Sequence, residues 1–158
     1  MNFLACDLGG TKVLLGIFES VINDDSPKLL FKKKYISSDW NSFELILEDF
    51  LKNECKNITH PSSACFAVAG PLSNNNTKIM NLSWNISGNK LKNKFKFEQC
   101  ELINDFAVQI YGIPYLKKIN IQQSKMDLIL MVLTMICILL LEPVLVWALQ
   151  EVLYQGIK

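Results

Sequence analysis

The sequence contains no arginine and only one histidine, and its formal net charge is +1. Nucleic-acid-binding domains usually carry a clustered excess of positive charge, so we expect no nucleic-acid partner. The five cysteines are scattered and His60 stands alone, so no group of residues has the spacing of a metal site. We also expect no secretory leader, because Asp7 interrupts the first apolar stretch too early. We therefore expect reduced thiols and a cytoplasmic location.

Short apolar runs separated by turn residues predict a single α/β domain in the first three quarters of the chain. Residues 2–6 and 12–18 are two such runs, joined by a segment with the residue types of a hairpin turn. Residues 29–36 contain three consecutive lysines, which is typical of an exposed edge strand. The run 64–69 predicts a buried strand that Gly70-Pro71 ends.

Between these strands the pattern changes to helical spacing and then to polar residues. Apolar side chains recur at helical spacing after Asn41 or Ser42, either of which could be the N-cap. They predict an amphipathic helix over about residues 42–56. Ser73–Thr77 is predicted to be a polar loop, and Lys78–Asn85 a short strand.

The segment that follows interleaves lysine with apolar residues before a final strand. Residues 91–97, "LKNKFKF", favour an amphipathic element with a solvated lysine face over a nucleic-acid surface, because the net charge is near zero. Residues 100–103 predict a strand, and a helix is expected from Phe106 to Tyr111, before Pro114.

The first turn, Asp7-Leu8-Gly9-Gly10-Thr11, has the chemistry of a phosphate site. Glycines expose backbone N–H groups to an anion without a Cβ in the way, and Thr11 adds a hydroxyl donor. Asp7 is placed to hold a hydrated Mg²⁺ beside such phosphates. The structural alternative is an ordinary hairpin turn in which Asp and Gly only satisfy turn geometry. The five residues alone do not decide between the two.

Asn104-Asp105 forms a second polar pair, at the point where a strand gives way to a helix. Ligand groups in open α/β sheets usually lie at such strand ends. Taken alone, the pair favours a helix N-cap, for which Asn and Asp are suited. Together with the first turn it suggests a phosphotransferase, which requires a phosphate cradle and a carboxylate base.

Four motifs in order, "DLGGTK", "FAVAGP", "NLSW" and "LINDF", resemble those of bacterial glucokinases, in the sugar-kinase branch of the actin-like ATPase superfamily. The resemblance covers about residues 2–118. It implies a ribonuclease H-like small domain over residues 1–118, with a mixed sheet flanked by helices. It also implies ATP and Mg²⁺ as cofactors and glucose, phosphorylated at its 6-hydroxyl, as substrate.

Residue roles follow from the same resemblance. Asp105 would be the general base for the sugar hydroxyl, and Asn104 would bind sugar hydroxyls. Gly70 and Pro71 would end a strand lining the sugar cleft, and Trp84 is expected to pack rather than react. The first ATP-phosphate loop would be formed by Cys6, Asp7, Leu8, Gly9, Gly10 and Thr11, with Asp7 on the Mg²⁺ side. Cys6 departs from the glycine that many relatives have.

The pattern breaks after Lys125. The resemblance would continue with a second glycine-rich phosphate motif, but the sequence reads "MDLILMVLTMICILLLEPVLVWALQ". Residues 128–149 are long enough to cross a bilayer, although Glu142-Pro143 interrupts them. A shifted reading frame can be started at the last base of the Leu141 codon and read through residues 142–148. Codon degeneracy then permits the peptide Gly-Ala-Gly-Thr-Gly-Leu-Gly, which resembles the missing motif. We therefore interpret residues 119–158 as an out-of-frame, non-native hydrophobic tail on a glucokinase fragment.

Two other functions remain open from the sequence. The first is a membrane-tethered nucleotide- or sugar-binding module, with membrane contact only through the apolar segment 128–149. The second is a related sugar kinase with another substrate, because a phosphate loop and an aspartate base are shared across the superfamily.

Overall fold

A computed structural model describes residues 1–20 and 27–108. They form a five-stranded mixed sheet, a two-stranded hairpin and helices. The predicted extension of the last helix to Tyr111 and the apolar segment 128–149 lie outside the described residues.

The first two strands form an antiparallel hairpin. Strand β1 spans Asn2–Leu8 and β2 spans Lys12–Glu19. The predicted hairpin is confirmed, but β1 is two residues longer than the apolar run: Asp7 pairs with Leu14 and lies in the strand, not in the turn. The reason is that a strand needs only one buried face, so a polar residue on the other face need not end it.

The remaining strands of the sheet flank this hairpin. Strand β3 (Lys28–Ile36) pairs antiparallel with β2, and β4 (Ser63–Val68) runs parallel to β1. Strand β7 (Gln99–Asn104) runs parallel to β4, giving the order β3-β2-β1-β4-β7. The lysine-rich β3 is therefore an edge strand, as predicted, and all six residues of β4 are buried. Both fit the rule that central parallel strands are apolar and edges are charged.

Helix α1 (Phe43–Asp49) covers one face of the sheet. Ser42 caps it by accepting a hydrogen bond from the Leu45 N–H at 3.4 Å, and the chain continues as a π-helical turn over Phe50–Glu54. The predicted helix over residues 42–56 is thus confirmed, with a widened last turn. Phe43 packs edge-on against Phe66 of β4, with ring centroids 5.3 Å apart.

A second helix begins the return to β7. Helix α2 spans Gly88–Phe95, with Leu91 and Phe95 buried and Lys94 exposed. The predicted amphipathic element with a solvated lysine face is confirmed. Lys96, at a φ of 60°, ends the helix in the left-handed conformation.

The predicted arrangement between residues 73 and 85 is wrong. Strand β5 (Asn76–Lys78) pairs with β6 (Asn85–Ser87), so a hairpin replaces the expected polar loop and single strand. The strand β5 begins inside the expected loop because Asn74 and Asn75, at φ of 48° and 58°, make the turn before it. Residues 79–84 form a loop because the Ile79 N–H bonds back to the Trp84 carbonyl at 3.1 Å.

Within residues 1–20 and 27–108, no helix is long and apolar enough to cross a bilayer. The same ranges hold no cluster of three or more His, Cys, Asp or Glu side chains suited to a metal ion.

Candidate active site

Three parallel strands end in line at one edge of the sheet. Leu8 of β1 is in register with Val68 of β4, which is in register with Asn104 of β7. The glycine turn, the Gly70-Pro71 segment and Asp105 therefore all leave the sheet at this edge. Adjacent strands are about 4.8 Å apart, so the ends of β1 and β7 are separated by roughly 10 Å.

The glycine turn is held by one hydrogen bond within the turn and by two hydrogen bonds from Ser37. The Gly9 N–H donates to the Lys12 carbonyl at 3.0 Å, so this amide belongs to the turn itself. Ser37, fully buried after β3, donates its hydroxyl to the Gly9 carbonyl at 3.1 Å and its N–H to the Thr11 carbonyl at 3.0 Å. The N–H groups of Gly10 and Thr11 have no backbone acceptor among the described residues. Among the described residues, these two amides can therefore donate to solvent or to a ligand.

Strand alternation separates the predicted phosphate-loop residues. Cys6 and Leu8 point into the hydrophobic core beneath α1 and are fully buried. Their side chains cannot contact a nucleotide, and only their backbone can contribute. Asp7 lies on the opposite face, half-buried, in register with Ala67 of β4. Burial raises the pKa of the Cys6 thiol well above its usual range, and the nearby Asp7 charge raises it further. Cys6 is therefore a neutral core residue.

The segment after β4 needs glycine. Gly70 has a φ of 156°, which side-chain-bearing residues rarely adopt, and a Cβ there would lie 3.2 Å from the Thr77 hydroxyl. That hydroxyl donates to the Pro71 carbonyl at 2.9 Å, joining the segment to β5.

Asn104 caps the helix that begins at Asp105. Its Oδ1 accepts hydrogen bonds from the N–H groups of Phe106 at 3.0 Å and Ala107 at 3.4 Å, while its Nδ2 donates to the Gly70 carbonyl at 3.2 Å. The cap that the sequence favoured for this pair is confirmed. The same amide ties the end of β4 to the end of β7, and one N–H of Nδ2 remains for a ligand.

Asp105 is half-buried at the first position of this helix. Its Oδ1 accepts a hydrogen bond from the Phe106 N–H at 3.0 Å. Its Oδ2 has no hydrogen-bond partner among the described residues, so this oxygen can accept a proton.

Asn75 secures the outer edge of β7, and no sequence motif indicated this role. Its Nδ2 donates to the Cys100 carbonyl at 2.9 Å, and its Oδ1 accepts from the Leu102 N–H at 2.8 Å. The side-chain amide thus takes the place of a neighbouring strand. Its own carbonyl accepts from the Gly88 N–H at 2.9 Å. Asn75 therefore joins the hairpin, α2 and the strand that carries Asp105.

An open hollow of about 520 Å³ lies beside β5 and β6. Its lining consists of Lys78, Met80, Asn81, Leu82, Ser83 and Asn85. Trp84, from the same loop, is only 5% exposed and belongs to the core, so the expected packing role is confirmed.

Comparison with known proteins decides the family. The glucokinase family model matches residues 4–127. The chain belongs to the glucokinase family. The glucokinase of Synechocystis sp. is 38% identical over 121 residues, which cover 72% of this chain and 34% of that protein. The glucokinase of Caulobacter vibrioides is 32% identical over 111 residues, covering 70% and 32%. The chain thus spans about one third of these glucokinases' length.

Solved glucokinase structures share the fold. The glucokinase from an Antarctic psychrotroph superimposes with a TM-score of 0.67 at 30% identity, over 77% of this chain and 37% of that one. The Balamuthia mandrillaris glucokinase in complex with glucose superimposes with a TM-score of 0.56 at 18% identity, over 74% and 33%. The predicted fold class is confirmed. The family match ends nine residues beyond the predicted boundary at 118, and the division into 1–118 and 119–158 stays a prediction.

Proposed function

We propose that this chain carries one wall of the active site of an ATP-dependent glucokinase, which phosphorylates glucose at the 6-hydroxyl. The observation that carries the proposal is that the glycine turn and Asp105 follow β1 and β7 at one sheet edge, and that only β4 separates these two strands. A phosphate cradle and a carboxylate on the same edge are what transfer of a phosphoryl group to a hydroxyl requires.

The chemistry assigns each residue one task. Asp105 accepts the proton of the sugar 6-hydroxyl through Oδ2 as the sugar oxygen attacks the γ-phosphorus in line, and the bond from that phosphorus to the bridging oxygen breaks to release ADP. Asn104 uses its remaining N–H to bind a sugar hydroxyl, and Gly70 and Pro71 border the sugar. The N–H groups of Gly10 and Thr11 donate to phosphate oxygens, and the Thr11 hydroxyl adds a third donor.

Magnesium fits this site through water. Mg²⁺ keeps several of its waters and binds proteins through one or two carboxylates together with substrate phosphates. Asp7 supplies one half-buried carboxylate near the end of β1, next to the turn that carries the Gly10 and Thr11 amides. When bound, the ion would neutralise part of the phosphate charge.

The remaining proposals concern the chain as a whole. We propose a cytoplasmic protein whose residues 119–158 are an out-of-frame tail, so that the 158-residue chain has no measurable kinase activity. Catalysis by closure over the substrate needs both walls of the cleft, and the matched part of this chain spans only about one third of the length of such a relative. Resequencing the DNA between codons 115 and 142 tests the frame directly. A single uninterrupted frame would contradict this account of the tail.

Kinase assays test the activity. A frame-restored, full-length chain should phosphorylate glucose with ATP, whereas the 158-residue chain should not. A panel of hexoses separates glucokinase from a sugar kinase with another substrate, and sedimentation with membranes separates both from a tethered module. The comparisons give that module no support. Failure of the frame-restored chain to phosphorylate any hexose would refute the proposed function.

A further inference from the structure

Asn81 lies directly against the glycine turn. A Cβ built on Gly10 would lie 3.5 Å from the Asn81 Cβ and 3.6 Å from its Nδ2. The Asn81 side chain is exposed and lines the hollow beside β5 and β6. Within the described part of the chain, no hydrogen bond occupies its amide. A side-chain donor therefore lies next to Gly10, one of the two residues whose amides the proposed phosphate would meet.

The loop around Asn81 is held at both ends. Ile79 and Trp84 are 1% and 5% exposed, and the Ile79 N–H bonds to the Trp84 carbonyl at 3.1 Å. The Leu82 N–H bonds to the Ile79 carbonyl at 3.2 Å, which closes a tight turn around Asn81. Asn81 is thus presented by a turn with a buried base, so little conformational entropy is lost when it contacts a ligand.

We propose that Asn81 is a nucleotide-binding residue whose Nδ2 donates a hydrogen bond to a phosphate oxygen held by Gly10 and Thr11. The polyphosphate would then lie between two walls, the glycine turn and the loop over residues 79–84. Lys78, exposed on the lining of the same hollow, adds positive charge on that side. This inference rests on the proposed function, because it requires a phosphate at the glycine turn.

Amide-resolved NMR tests this on the 158-residue chain, because it detects weak binding. Inorganic tripolyphosphate and Mg-ATP are the probes, and the observed signals are the backbone amides of Gly10 and Thr11 and the side-chain NH₂ of Asn81. All three should shift with one dissociation constant. Asn81→Ala should weaken binding by about 10- to 150-fold, as expected for one hydrogen bond to a charged group. Asn81→Asp should weaken it further, because a carboxylate would face the phosphate.

Asn85→Ala is the matched control. Asn85 is an exposed asparagine on the lining of the same hollow, so its loss should leave the dissociation constant unchanged. If Gly10 and Thr11 shift while Asn81 does not, and Asn81→Ala binds as tightly as the parent chain, the role of Asn81 is refuted and the phosphate site stands. If none of the three signals responds, the phosphate site of the proposed function is refuted together with this inference.

Discussion

Replacing Gly88 with alanine should loosen the edge of β7 through Asn75. The added Cβ would lie 2.5 Å from the Asn75 Oδ1 and still closer to its Nδ2, so the amide has to move. That amide holds the Cys100 carbonyl and the Leu102 N–H at 2.9 and 2.8 Å. Each hydrogen bond contributes about 1 kcal/mol, so losing both costs about 2 kcal/mol. Alanine has a higher helix propensity than glycine, which offsets this loss by up to about 1 kcal/mol in a helix interior and by less in the first turn. The net loss should be about 1–2 kcal/mol.

The reasoning is sharpest as a double-mutant cycle. Asn75→Gly removes the obstructing amide while tolerating the φ of 58° at this position. In that background Gly88→Ala should cost nothing or stabilise slightly, because no side chain remains for the Cβ to meet. The two substitutions should therefore couple by about 1–2 kcal/mol, as contacting pairs do.

Urea unfolding, followed by tryptophan fluorescence, measures the free energy of unfolding of the 158-residue parent chain, the two single variants and the double variant. Trp84 is a suitable reporter because it is buried in the core. Hydrogen exchange at the Leu102 amide gives a local readout and should accelerate in both single variants. Equal costs of Gly88→Ala in the two backgrounds would refute the coupling through Asn75.

Other consequences follow from the site, the tail and the core thiols. In a frame-restored enzyme Asp105→Asn should lower turnover by about 10²- to 10⁴-fold while sugar binding persists, and near-normal turnover would contradict the base role. Gly10→Val should raise the KM for ATP, because its branches would meet the Asn81 side chain and distort the turn; an unchanged KM would argue against a phosphate there. Deleting everything after Lys125 should raise solubility without changing ligand binding, as ultracentrifugation and NMR can check. Burial raises the pKa of Cys55 to about 11 and that of Cys100 to about 12, so at pH 8 both thiols stay protonated and iodoacetamide should label them only after unfolding; rapid labelling of the folded chain would disprove this.

The strand-turn-strand start of the fold could be predicted because its signals are local. Apolar runs and a Gly-Gly turn determine the first hairpin, and the helical spacing after Ser42 determines α1. The hairpin β5–β6 could not be predicted in this way. Its turn depends on the left-handed conformation of Asn74 and Asn75, and the hydroxyl of the buried Thr77 is satisfied by the Pro71 carbonyl, six positions away.

The supporting residues of the site escaped sequence reasoning for a related reason. Ser37 reaches Gly9 across 28 positions, and Asn75 reaches Cys100 across 25. Such side-chain contacts to a distant backbone have no local signature. The Asn104 cap could be predicted, and Asn104 and Asp105 could be proposed as site residues, because both interpretations depend on a strand-to-helix boundary, which is visible in the sequence.

The close approach of Gly88 to Asn75 also restricts the order in which these positions can change during evolution. A lineage that replaces Gly88 first passes through a weakened intermediate, whereas one that first shortens Asn75 leaves position 88 free to vary. Glycine at 88 should therefore accompany asparagine at 75 across divergent sequences, and larger residues at 88 should appear only where 75 has already become small. Covariation between positions 75 and 88 would then result from the packing of the Asn75 side-chain amide against the Gly88 Cα.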